Sequence, residues 1–167
     1  FDQVKPWQTS GISGVNRFLK KSWRLVIAED GSLSSKIHQG AEDKNTEKLL
    51  HKTIQKVEQD TEVLHFNTAI SAMMEFVNHC NKQDKLAQKT LEKFVVTLSP
   101  YAPHIAEELW ERLGHEGSLS ETSWPSFDAK LLTDDEVTLC VMVNGKARGK
   151  VEALKTSTEA EVTELAR

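Results

Sequence analysis

Residues 14–29, GVNRFLKKSWRLVIAE, constrain the fold of this chain more than any other stretch. At the helical step of 3.6 residues, Val15, Phe18, Leu19, Ser22, Trp23 and Val26 share one side. Arg17, Lys20, Lys21 and Arg24 recur at i, i+3, i+4 and i+7 on the opposite side. No acidic residue interrupts that stripe before Glu29. Such a helix must bury one face in a core and present a positive face elsewhere. The positive face has two readings: a solvated surface of an ordinary core helix, or a platform for a polyanion.

The next hundred residues repeat the helical period. A second helix is predicted over 42–62, with Leu49, Leu50, Ile54 and Val57 inward and Lys48, Lys52 and Lys56 on another face. A third is predicted over 68–81, capped by Asn67, with Ile70, Met73, Met74, Val77 and Cys80 buried. A fourth follows a cap at Asp84 and ends at Leu98. Pro103 opens a fifth, and Gly114 closes it. Residues 31–40 read as a polar loop. After Gly114 the pattern changes. Residues 137–143 and 147–154 are β-rich and flank Asn144-Gly145, a strong two-residue hairpin signal. A further helix is signalled after Thr156.

The fold class that follows is mostly α: an antiparallel helical bundle followed by a small β-hairpin/α element. The expected division is a lead-in over 1–13 anchored by Trp7, a bundle over 14–116, a linker over 117–136, and the start of a C-terminal α+β domain over 137–167. The chain starts at Phe1 without a methionine and stops just inside a helical pattern, so it reads as a piece of a longer protein.

Charge and chemistry narrow the function. The 167 residues carry a formal net charge of -4, so a nucleic acid can be bound only through local basic patches. Besides the 14–29 stripe, Lys146, Arg148 and Lys150 alternate along the second strand and share one face under regular pleating. They read equally as phosphate contacts or as an aggregation-resistant edge. No G-x-G-x-x-G or P-loop is present, and no spacing marks a catalytic triad. His104, Glu107 and Glu108 share a helix, but no second histidine lies in register, so no metal is expected there. Cys80 and Cys140 sit in apolar stretches and read as reduced, mostly buried thiols. No run is long and apolar enough to span a membrane. The residues therefore point to a non-catalytic docking module, with folded RNA or protein as its partner.

Five segments in order sharpen this: SGISGVNRFLKKSW (10–23), LHKTIQKVEQDTEVLHFNTAISAMMEFVN (50–78), LSPYAPHIAEELWERLG (98–114), Trp124-Pro125, and VMVNGKARGKV (141–151). Together they resemble the C-terminal part of bacterial-type leucyl-tRNA synthetases, over nearly the whole chain. The helical segments are shared in outline with the isoleucyl, valyl and methionyl enzymes. The hairpin and the Trp-Pro pair favour the leucine enzyme.

The resemblance implies a class I parent ligase that joins leucine to its tRNA with ATP and magnesium. That parent's Rossmann domain carries the HIGH and KMSKS signatures. Neither occurs in this chain, which is therefore expected to hold no cofactor and no catalytic residue. It implies an anticodon-binding-type bundle that, in the leucine family, generally supports the tRNA backbone rather than reading the anticodon. By that role Arg17, Lys20, Lys21, Arg24, Lys146, Arg148 and Lys150 become candidate tRNA contacts. Trp7 becomes a candidate contact with the remaining domains, and the location is cytoplasmic. The alternatives are the same domain of an isoleucyl- or valyl-type synthetase, or a bundle that binds only proteins.

Overall fold

The computed structural model describes residues 11–132, 136–143, 146–154, 157 and 162–163. Trp7, the Asn144-Gly145 turn and all of the helix signalled after Thr156 except residues 162–163, which are helical, lie outside the described residues. The chain divides into two compact units, Phe1–Asp128 and Ala129–Arg167.

The first unit is built from five helices. They are α1 (Ile12–Val26), α2 (Lys44–Glu62), α3 (Phe66–Cys80), α4 (Gln88–Leu98) and α5 (Pro103–Arg112). Two short strands, β1 (Ile37–His38) and β2 (Leu86–Ala87), pair in parallel. The helices pack in the cyclic order α1, α3, α2, α4, α5 and back to α1. Their inward stripes meet in one core whose largest fully buried members include Phe76, Phe94, Leu50, Ile54, Met73 and Leu91. Phe76 of α3 and Phe94 of α4 lie at the centre, with ring centroids 5.1 Å apart.

Local chemistry sets the helix ends. The Asp43 carboxylate accepts hydrogen bonds from the backbone N–H groups of Asn45 and Thr46 and caps α2. Desolvation acts to raise its carboxyl, but hydrogen bonds from the Thr46 side chain first, and from the Thr46 and Asn45 N–H groups, hold it below the usual range. Pro103 occupies the first turn of α5, and Gly114 ends it at φ +97°, a conformation that favours glycine. Helix α4 starts four residues after Asp84. Leu86 and Ala87 are drawn into pairing with Ile37 and His38, and the Leu86 N–H donates to the Lys36 carbonyl. The same pairing gives the expected loop 31–40 a two-residue strand. The Glu42 carboxylate accepts from the Ala87 N–H at 2.8 Å and fastens the start of α2 to the start of α4.

Leu64, in the α2–α3 turn, has φ +60°. That left-handed conformation costs an L residue with a bulky side chain roughly 1 kcal/mol, and Leu64 is 54% exposed, so little burial offsets it. Leu64→Asn is expected to stabilise the chain by about 0.5–1 kcal/mol, read as a higher denaturant midpoint.

Residues after α5 wrap back over the bundle. Leu119 is buried in a 3-10 turn (Leu119–Glu121), and Trp124 and Phe127 pack against the core. The Asp128 N–H then donates to Nδ1 of buried His51 at 2.8 Å. His51 must be neutral to accept that bond. Its pKa is lowered from 6.5 by burial first and by the Lys93 charge second, against Glu47 and Asp128, which raise it. The unfolded chain therefore binds more protons than the folded one below about 6.5. This stability is present above 6.5 and lost as pH falls through the folded value. His51→Asn, which keeps an acceptor but does not titrate, is expected to flatten stability below pH 6.5 in pH-dependent urea melts.

The second unit contains a short helix α6 (Ala129–Leu132) and an antiparallel hairpin of β3 (Glu136–Val143) and β4 (Lys146–Leu154). The register shifts between Val141 and Met142. Val141 pairs with Gly149 and Met142 with Ala147, which leaves Arg148 as the extra residue of a bulge. Cys140 is exposed rather than buried, whereas Cys80 is buried. Burial pushes the Cys80 thiol up to about 12, with the Glu42 and Asp43 charges adding to it. The two cysteines are unpaired.

Candidate nucleic-acid interface

Helix α1 forms a ridge between two grooves. Its buried residues are Phe18, Ser22, Leu25 and Val26. Leu19 and Trp23 are partly buried against the same core. Val15, expected inward, is 46% exposed, and so is Ile12 at 53%. Leu25, which the inward set did not include, is buried. Along the outer edge Arg17, Lys20 and Arg24 are exposed and Lys21 is half-buried. From residue 17 to residue 24 the stripe rises about 10 Å along the helix axis.

The four cations differ in their surroundings. Arg17 and Lys21 line a cleft against α3, together with Gly14, Phe18, Met74, Val77 and Asn78. The Lys21 ammonium donates to Asn78 Oδ1 at 2.6 Å. Lys20 borders the other groove, an apolar trough of Ile12, Val15 and Leu19 with Ile105 of α5. Arg24 turns toward Glu29 and pairs with it at 2.6 Å, both side chains being at least half exposed. A pair so exposed contributes at most about 1 kcal/mol. The lysine repeat of α2 is less available. Lys56 pairs with Asp60 at 2.8 Å, and Lys48 and Lys52 are half-buried and engaged.

Lys146, Arg148 and Lys150 belong to β4, but their side chains lie outside the described residues. The bulge at Arg148 interrupts the regular alternation from which their common face was expected.

The acidic end of α5 has its own structural partners. Glu107 accepts from the Ser118 hydroxyl at 2.7 Å and the Leu119 N–H at 2.9 Å, and these bonds, the backbone one first, lower its pKa. Glu108 pairs with Arg112 at 2.9 Å. The His115 ring stacks on Trp110 at 3.7 Å and lies 2.9 Å from Glu92. These carboxylates order the α5 terminus. No three His, Cys, Asp or Glu side chains among the described residues are grouped to hold a metal ion. No helix among them is long and apolar enough to cross a membrane.

Residues 43–164 match the family described as the anticodon-binding domain of tRNA ligase, and the chain belongs to that family. The match begins after α1, so the basic ridge lies outside it. Across 99% of its length the chain is 52% identical to the leucine–tRNA ligase of Chlorobaculum tepidum, of which it spans 20%. It thus corresponds to about a fifth of that relative. Among solved structures it resembles LeuRS from Agrobacterium radiobacter K84, in a ternary complex with tRNA and LeuAMS. There the TM-score is 0.69 at 25% identity, over 97% of this chain and 23% of the other.

Proposed function

We propose that this chain is the tRNA-docking portion of a leucine–tRNA ligase, and that α1 meets the tRNA backbone through Arg17, Lys20, Lys21 and Arg24. The observation that carries this reading is the acid-free outward stripe on α1 of an otherwise acidic protein. The likeness to a leucine–tRNA ligase across almost the whole chain supports it, as does a structural neighbour bound to tRNA. Contacts of this kind position an RNA without reading its bases. Lys146, Arg148 and Lys150 extend the same role to the hairpin.

In this reading leucine activation with ATP and magnesium takes place in other domains of the longer cytoplasmic ligase. The chain's own contribution is to hold the tRNA so that its acceptor end reaches that site. The apolar trough of Ile12, Val15, Leu19 and Ile105 suits a contact with those domains, and Trp7 is a candidate for such a contact from its place in the sequence alone.

The test is charge reversal at Arg17, Lys21 or Arg24 in the full ligase. The expected result is weaker aminoacylation with leucyl-adenylate formation intact. A parallel fall in both activities would make α1 a structural support instead.

A further inference from the structure

We infer that the cleft between α1 and α3 is a seat for one backbone phosphate of a bound RNA, with Asn78 as its positioning residue. The inference rests on the tRNA-docking reading and adds to it a residue from a second helix. Seven residues line the cleft: Gly14, Arg17, Phe18 and Lys21 from α1, and Met74, Val77 and Asn78 from α3. Phe18 and Val77 are buried and Met74 is half-buried, so the floor is apolar. Arg17, Lys21 and Asn78 provide the polar rim. Among the described residues the lining carries two positive charges and no carboxylate.

The details fit a phosphate better than a water-filled crevice. A Cβ added at Gly14 would meet nothing within 4 Å, so that wall is low and the cleft stays open to a bulky backbone. The carbonyl oxygen of Asn78 accepts from Lys21 at 2.6 Å and holds the flexible ammonium over the cleft. That contact lowers the entropy cost of ordering a lysine on an arriving anion. The Asn78 amide group retains N–H donors, and the Arg17 guanidinium offers a donor fork. One anionic oxygen pair can then be met from three directions by donors with no acid beside them among the described residues. On an isolated α1 wheel the cations appear as a row. The fold gathers two of them around a residue 57 positions beyond Lys21.

Asn78→Asp tests this without removing a cation. The new carboxylate would lie beside Lys21 and neutralise the cleft, at an exposed position where the fold tolerates the change. Binding of the full chain to a leucine tRNA transcript is measured by fluorescence anisotropy from low to moderate salt, beside Lys20→Glu and Asn78→Ser. The expected result for Asn78→Asp is affinity reduced roughly three- to tenfold and a salt slope shallower by about one phosphate. Asn78→Ser, which keeps a small polar group, should lose less and keep the slope. If Lys20→Glu weakens binding while Asn78→Asp leaves affinity and slope unchanged, the cleft is not a phosphate seat and the ridge reading stands. If none of the variants matters, or the unaltered chain fails to bind at low salt, the docking reading itself falls and the cleft with it.

Discussion

Phe76→Ala is expected to cost about 3–5 kcal/mol of unfolding free energy. Phe76 is fully buried, and its ring packs against Phe94 across the α3–α4 contact. Truncation removes the transfer free energy of the ring and leaves a cavity that rigid helices on several sides cannot close. Domains of this size hold about 5–15 kcal/mol in total, so the variant should stand near the edge of folding at ambient temperature. The denaturant midpoint should drop steeply while the dependence on denaturant concentration stays constant. A loss below about 1 kcal/mol would mean that the α3–α4 contact relaxes freely and that the core is not centred there.

The second large effect concerns binding. Reversing Arg17 and Lys20 together should weaken tRNA binding by the chain roughly ten- to hundredfold, because about two phosphate contacts are replaced by repulsion. Both residues are exposed on α1, so the thermal midpoint should barely move. Arg24→Glu alone should do less. It forfeits a cation that already shares its charge with Glu29. A non-cognate tRNA should lose affinity in the same proportion, since these contacts touch backbone. An effect confined to the leucine tRNA would instead mean that α1 reads a feature of its shape.

Much of the bundle could be read from residue order alone. Leu50, Ile54 and Val57 in α2, and Met73, Val77 and Cys80 in α3, fall where the helical period puts them, and all are buried. Pro103 and Gly114 bound α5 as their backbone preferences require. The strands of the hairpin announce themselves through β-rich runs around an Asn-Gly pair. What the sequence hides is decided by contacts between distant segments. Asp84 looks like a cap, but Leu86 and Ala87 pair with Ile37 and His38 first, and a two-residue strand leaves no periodic trace. No such pairing competes at Asp43, whose carboxylate bonds N–H groups two and three residues on and caps its own helix.

The candidate interface shows the same split. The α1 stripe is periodic and therefore visible. Its division into an Arg17–Lys21 cleft and a Lys20-bordered trough depends on where α3 and α5 pack, and so do the partners Asn78 and Ile105. Val15 falls on the inward side of the wheel, but an isolated helix gives no means of telling which part of a wide apolar face the core will accept. Its exposure beside Ile12 leaves an apolar strip next to a basic one.

Electrostatic docking through α1 is tested most directly by the affinity of the unaltered chain for a leucine tRNA transcript at two salt concentrations, with a non-cognate tRNA alongside. If α1 is a platform for phosphates, affinity should fall with salt at roughly 0.7–0.9 log units per log unit for each phosphate engaged, giving a slope of at least about two. Salt-independent binding, or no binding at low salt, would contradict this and leave the bundle as a strut between parts of a larger protein.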